Sequence, residues 1–113
     1  MLKAENRLRA EKDIKALLQK GKSISDVFFI LKFRPNNQAF SRFAIVTGIK
    51  VSKSAVVRNR LRRQVREIIR LDLDGFTKGL DIILLMKKNA LEKDFEELSR
   101  HILGMARKVG IWH

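Results

Sequence analysis

Arg58, Asn59, Arg60, Arg62, Arg63, Arg66 and Arg70 stand within one thirteen-residue stretch, the densest set of chemically capable groups in the chain. A guanidinium meets a phosphate through two parallel N–H bonds, a geometry that a lysine ammonium cannot match. At 100° per residue, Leu61, Val65 and Ile68 share a narrow apolar arc with Val57. Arg62, Arg63, Arg66 and Arg70 fall on the other side with Asn59 among them, and between Lys50 and Arg70 only Glu67 opposes them. Arg58, Arg62, Arg66 and Arg70 recur at i+4, where like charges repel. Cations in the first turns also sit where the helix dipole prefers anions, at about 0.3–1 kcal/mol for each misplaced charge. A solvated charged face ordinarily mixes signs. A helix assembled against its own electrostatics points to an external polyanion, and arginine chemistry points to nucleic acid. The apolar arc lacks Trp and Phe, which argues against a membrane surface or a calmodulin-like groove.

Other groups that could do chemistry are poorly placed for it. A nuclease acting by itself needs metal-binding carboxylates or a histidine acid and base. His101 and His113 have no neighbour at ligand spacing, and Ser52 and Ser54 have no nearby histidine to activate them. Glu92, Asp94, Glu96 and Glu97 gather where a last helix would begin, a capping pattern before it is a metal site. Asp72 and Asp74 before Gly75 lack the remaining ligands of a calcium loop and read as a turn. The residues by themselves describe a binding protein that performs no chemistry.

The whole composition agrees: 25 Lys and Arg against 12 Asp and Glu give a formal charge of +13 in 113 residues. Such an excess draws anionic partners over long range. With 45% hydrophobic residues, the chain suits one domain over 1–113, of which 1–10 reads as a basic, partly flexible arm carrying Lys3, Arg7 and Arg9. There is no cysteine, hence no disulfide and no thiolate metal site. No apolar run approaches membrane-spanning length, and the first residues lack a signal peptide's apolar core, so a cytoplasmic location without membrane contact is expected.

Periodicity supplies the elements around the arginines. A helix is predicted from about Lys12 to Lys20, stopped by Gly21. Val27 to Arg34 reads as a strand with Val27, Phe29, Leu31 and Phe33 toward a core and Phe28, Ile30, Lys32 and Arg34 on the other face. A second strand from Arg42 to Ile49 is expected to form a hairpin with it. The arginine-rich helix then runs from a cap at Ser52 or Ser54 to about Leu71. Leu80 to Met86 is a strand apolar on both faces, and a last helix opens at Asn89 or Ala90. The order is α-β-β-α-β-α, with an extra short strand allowed at 22–24. It gives an α+β fold, a small sheet backed by helices on one side, and a strand-helix-strand crossover that is right-handed by default.

Ala55-Val-Val-Arg-Asn-Arg-Leu-Arg-Arg-Gln-Val-Arg66 resembles the protein subunit of bacterial ribonuclease P. That family's pattern is an Arg-Asn-Arg core, an apolar residue, two basic residues and a further basic residue. Arg58, Asn59, Arg60, Arg62, Arg63 and Arg66 match it in order. Asn6-Arg-Leu8, Asp13, Gly21 and the strand Gly79 to Lys87 extend the likeness over nearly the whole chain. The resemblance implies the fold of the second domain of ribosomal protein S5, with a left-handed crossover that displaces the default. It further implies that a partner RNA with Mg²⁺, bound mainly by that RNA, removes the 5′ leader from precursor tRNA, and that no protein partner is obligatory.

On that resemblance, Lys53, Arg58, Asn59, Arg60, Arg63 and Arg70 are expected to bind the catalytic RNA. Ile14, Leu18, Phe28, Ile30, Lys32, Arg62 and Arg66 are expected to line a cleft for the leader. The family often has aromatic residues at the positions of Ile14, Leu18 and Lys32. Base stacking on aromatics is worth on the order of 1–3 kcal/mol per base, so this chain should rely more on charge. Ile14 and Leu18 have a second reading as core residues, and Asn59 could fix a loop, cap a turn or read a base edge. A general or ribosome-associated RNA binder of the same fold, and a DNA-binding protein laying its helix in a major groove, are the alternatives.

Overall fold

The strand that is apolar on both faces sits at the centre of the sheet. In the computed structural model, which describes residues 2–113, the chain forms α1 (Glu11–Lys20), β1 (Lys22–Ser25), β2 (Phe29–Pro35), β3 (Arg42–Val46), α2 (Ala55–Leu71), β4 (Leu80–Met86) and α3 (Phe95–Lys108). The four strands lie in the order β1-β2-β4-β3. β2 runs antiparallel to β4, with Leu31 opposite Leu84, and β3 runs parallel to β4, with Phe43 opposite Ile82. The short strand allowed at 22–24 is therefore present as β1.

The expected hairpin between the second and third strands does not form, because β4 inserts between them. A strand such as Leu80–Met86, buried on both faces, is most stable with a hydrogen-bonded neighbour on each side. The true hairpin joins β1 to β2. Asp26 makes its turn: Oδ1 accepts the backbone N–H groups of Phe28 and Phe29 at 2.8 and 2.9 Å. That turn delays β2 until Phe29 and leaves Val27 at the tip, 51% exposed rather than in the core.

Helices cover both faces of the sheet, not one. Phe29, Leu31, Phe33, Phe43, Ile82, Leu84 and Met86 form the larger core with Leu61, Val65, Ile68 and Ile69 of α2 and Leu98, Ile102 and Met105 of α3. On the opposite face Ala44 and Ile83 pack under Leu8 and Leu17, with Ile14, Leu18 and Leu85 partly buried around them. α3 begins at Phe95, later than the apolar spacing suggests: Lys88–Ala90 is a single 3-10 turn, and Glu92 has a left-handed φ of 64°. Asp94 is the N-cap, its Oδ1 accepting Glu97 N–H at 2.8 Å, with Glu96 and Glu97 in the first turn.

The amino-terminal segment packs along the outer edge of β3. Leu8 N–H donates to the Phe43 carbonyl at 2.8 Å, Asn6 Nδ2 donates to the Ser41 carbonyl at 2.8 Å, and Leu2 and Leu8 are buried. At the other terminus Trp112 lies against Gly75, where an added Cβ would come within 2.8 Å of its ring, while Nε1 donates to the Asp72 carbonyl.

One ion pair lies within the sheet. Arg42 grips Asp81 through two bonds, Nε to Oδ1 at 2.8 Å and Nη2 to Oδ2 at 2.7 Å, and Asn36 Nδ2 adds a third at 3.0 Å. The hydrogen bond to Asp81 holds the Arg42 guanidinium above its ordinary range. The Asp81 side chain is only 3% exposed, so removing its partner strands a carboxylate away from water. Arg42→Met is expected to cost about 3 kcal/mol, read as a lower midpoint in urea unfolding. Arg42→Lys should recover part of that loss.

Candidate nucleic-acid interface

The arginine helix is started by two serines. Ser54 caps α2, its hydroxyl accepting Val57 N–H at 3.3 Å, and Ser52 Oγ accepts Ser54 N–H at 3.1 Å. Both candidate caps are therefore used, one for the helix and one for the turn before it. Val51 is buried beneath this turn and anchors it. There is no acidic residue in the first turn of α2, so the serine hydroxyl is the local answer to the exposed N–H groups.

Above the buried arc the guanidiniums divide between two flanks. Asn59, Arg60, Arg63 and Lys53 are exposed, and among the described residues Arg60, Arg63 and Lys53 make no side-chain hydrogen bond or ion pair. Asn59 accepts a bond from Arg62 through Oδ1, so it orients a neighbouring cation. Arg58 is half-buried and donates to the Ser52 carbonyl at 2.8 Å, which ties it to the turn. Arg70 stands apart from this group. It lies near the carboxyl end of α2, pairs with Glu67, and lines a different cavity with Lys3 and Lys78.

The other flank faces the sheet. Arg62 leans toward the Thr47 carbonyl at the end of β3, at a long 3.4 Å. Arg66 lines a cavity of about 280 Å³ together with Ile14, Val46, Arg7 and Arg9. Partial desolvation lowers the Arg66 pKa first, and repulsion by Arg62 and Arg7 lowers it further. Three guanidiniums thus crowd one spot with no carboxylate lining the cavity beside them, a potential that an incoming phosphate would relieve.

The expected cleft residues are only partly assembled. Ile14 and Arg66 share the cavity, and Ile14 also packs on the smaller core. Leu18 packs on that core too, and its carbonyl accepts Lys32 Nζ at 2.8 Å. Ile30 and Lys32 are half-buried on the α1 face of the sheet, opposite Leu85 and Ile83 of β4. Phe28 does not belong with them. It precedes the first paired residue of β2, is buried, and lies against the His101 ring of α3 at 4.3 Å between centroids, with Lys93 Nζ 5.5 Å from its centre. The Asp26 turn breaks the alternation that placed it on the other face. Val46, Arg7 and Arg9 also line the cleft, beyond the residues expected from the sequence. Their signal is faint, an apolar residue at the end of a strand and two cations in an unpatterned arm.

A small basic α+β protein with a cation-lined cleft beside an arginine helix belongs to the polyanion-binding class. Comparison with known proteins gives the family. The family model for ribonuclease P matches residues 2–110. A ribonuclease P protein component from Thermotoga maritima is 34% identical over 107 residues, covering 91% of each chain. One from a Pseudanabaena species is 33% identical over 114 residues, covering 100% of this chain and 98% of that one. The solved ribonuclease P protein from Thermotoga maritima superposes with a TM-score of 0.83 at 32% identity, over 90% of this chain and 96% of that one. The Staphylococcus aureus ribonuclease P protein reaches 0.86 at 19% identity, over 96% and 98%, and speaks for the fold. The chain belongs to the ribonuclease P protein family, whose members serve as the protein component of a tRNA-processing ribonucleoprotein with an RNA partner. Among the described residues, no helix is long and apolar enough to cross a membrane.

The cap separates folding from binding. Ser54→Ala should destabilise α2 by about 1 kcal/mol. Ser54→Asp should raise the melting temperature, because an anion suits the helix amino terminus, yet weaken RNA affinity by placing a carboxylate beside Arg58. Thermal unfolding and filter binding measured side by side would check the opposite signs.

Proposed function

We propose that the chain holds the 5′ leader of precursor tRNA in the cleft between α1, β3 and α2, while the outer flank of α2 holds the ribonuclease P RNA. The observation that carries this reading is the shared cavity of Ile14, Val46, Arg7, Arg9 and Arg66, aliphatic on its floor and cationic around it. Arg62, oriented by Asn59, extends the cationic side toward Thr47, and Ile30 and Lys32 continue the same sheet face. Arg7, Arg9, Arg62 and Arg66 neutralise leader phosphates, and Ile14 and Val46 meet sugars and base faces without aromatic stacking. Lys53, Asn59, Arg60 and Arg63, with Arg58 fixing the turn before α2, face the catalytic RNA. Arg70, at the far end of the helix, contributes at its margin.

Hydrolysis of the leader phosphodiester belongs to the RNA, which also carries the Mg²⁺ on which the cleavage depends. Among the described residues, no three His, Cys, Asp or Glu side chains converge as metal ligands, and the cleft itself is lined by cations. The protein's own part is to bind and orient. By neutralising phosphates it raises substrate affinity where Mg²⁺ is scarce.

The deciding experiment is leader cleavage at low Mg²⁺ with protein alone, ribonuclease P RNA alone, and the mixture. Activity mainly in the mixture is the expected outcome; tight RNA binding without enhancement would leave a non-processing RNA binder of this fold. Arg66→Ala should weaken precursor tRNA binding about tenfold with assembly on the RNA intact, whereas Arg60→Ala should weaken assembly. Equal effects of both on both steps would overturn the division of flanks. Leu18→Ala separates packing from contact, since a leader contact would lose affinity without losing thermal stability.

A further inference from the structure

A second cationic surface lies at the opposite edge of the sheet. α2 packs over β3 and α3 over β2, and between α3 and the edge strand β1 runs a shallow groove of about 280 Å³. Arg100, Gly104 and Lys108 line it from α3, spaced four residues apart and therefore stacked along one helix face. All three are exposed. Arg100 and Lys108 make no side-chain bond or ion pair among the described residues. Ile24 and Ser25 form the β1 wall. The one carboxylate there, Asp26, is engaged: Oδ2 lies 2.8 Å from His101 Nδ1, and Oδ1 accepts two backbone N–H groups.

Gly104 is the unexplained residue. It sits inside a fourteen-residue helix, where glycine is the poorest choice after proline. A Cβ added there would meet nothing within 4 Å, and positive φ is confined to Gly79 and Gly110 among the glycines. Neither crowding nor backbone conformation within this chain calls for glycine at 104. The remaining physical use of a missing side chain is close approach by something outside. A cation stands one turn before it and another one turn after, about 12 Å from each other along the axis.

We propose that the α3–β1 groove is a second RNA-docking surface, which takes one phosphodiester strand with its backbone against Gly104 and its phosphates on Arg100 and Lys108. The inference rests on the reading of the chain as an RNA-binding subunit and extends it to a surface remote from α2. The protein then bridges two RNA segments across the width of its sheet, and the strand at α3 belongs to the ribonuclease P RNA, the partner that the family gives this chain.

The test measures binding of the full-length protein to ribonuclease P RNA, and of the assembled complex to precursor tRNA, across a salt series. Arg100→Ala/Lys108→Ala should weaken binding of the ribonuclease P RNA about tenfold and flatten its salt slope by about two, with precursor tRNA binding by the assembled complex unchanged. Gly104→Leu, which changes no charge and improves helix propensity, should keep or raise the melting temperature and still weaken the same binding about fivefold with the slope unaltered. Loss confined to precursor tRNA binding would overturn the assignment of the strand to the ribonuclease P RNA. Unchanged affinity of both variants for both RNAs would overturn the proposal. Loss in the double variant with normal binding by Gly104→Leu would also overturn it, leaving only the general field of the protein. Arg66→Ala, measured in parallel, keeps the two readings apart, because its effect on the leader is independent of α3.

Discussion

Burial of Leu61, Val65, Ile68 and Ile69 beneath α2 is the constraint on which the rest depends. Side chains of this size contribute roughly 1.5–3 kcal/mol each on full burial, as an upper estimate. Like charges at i+4 cost about 0.2–0.5 kcal/mol a pair, and cations near the amino end about 0.3–1 kcal/mol each. The apolar arc therefore outweighs the repulsion above it. It does so only while the sheet presents Phe43, Ile82 and Leu84 to receive it. The helix can carry its guanidiniums ready for an external anion because its underside, and not its surface chemistry, holds it in place.

That arrangement explains which parts were legible in the sequence. The α2 span and the doubly buried β4 follow from periodicity, and the structure has them, together with the short edge strand that was allowed at 22–24. Pairing between strands was not legible, because alternation says which face a residue takes and nothing about its neighbour. β4 therefore displaced the expected hairpin partner. Phe28 was misplaced for a local reason: a carboxylate two residues earlier captured its N–H and ended the regular alternation. The late start of α3 has the same kind of cause, since Asp94 offers a better cap than Asn89 and the apolar spacing ran on through Leu91 regardless.

The candidate site shows the same limit. Arg58 to Arg66 announce themselves by type and spacing, and the family pattern sits on them. Val46, Arg7 and Arg9 reach the cleft only because the amino-terminal segment lies along β3, a tertiary fact with no periodic trace. The Arg42–Asp81 pair was equally hidden: an aspartate within an apolar strand identifies no partner, and its arginine lies thirty-nine positions away in the chain.

Because β4 separates β2 from β3, the order of synthesis matters. When the first 50 residues have left the ribosome, the β1–β2 hairpin can exist, but β3 has no strand beside it. The helix that follows then emerges with its apolar arc uncovered and its guanidiniums already displayed. The sheet closes only when residues 80–86 arrive and take the central place. Non-local pairing of this kind makes for slow, late folding. For that interval the nascent chain is a polycation with an open hydrophobic face, held next to ribosomal RNA. Its newly made copies therefore have reason to depend on rapid completion or on early capture by an anionic partner.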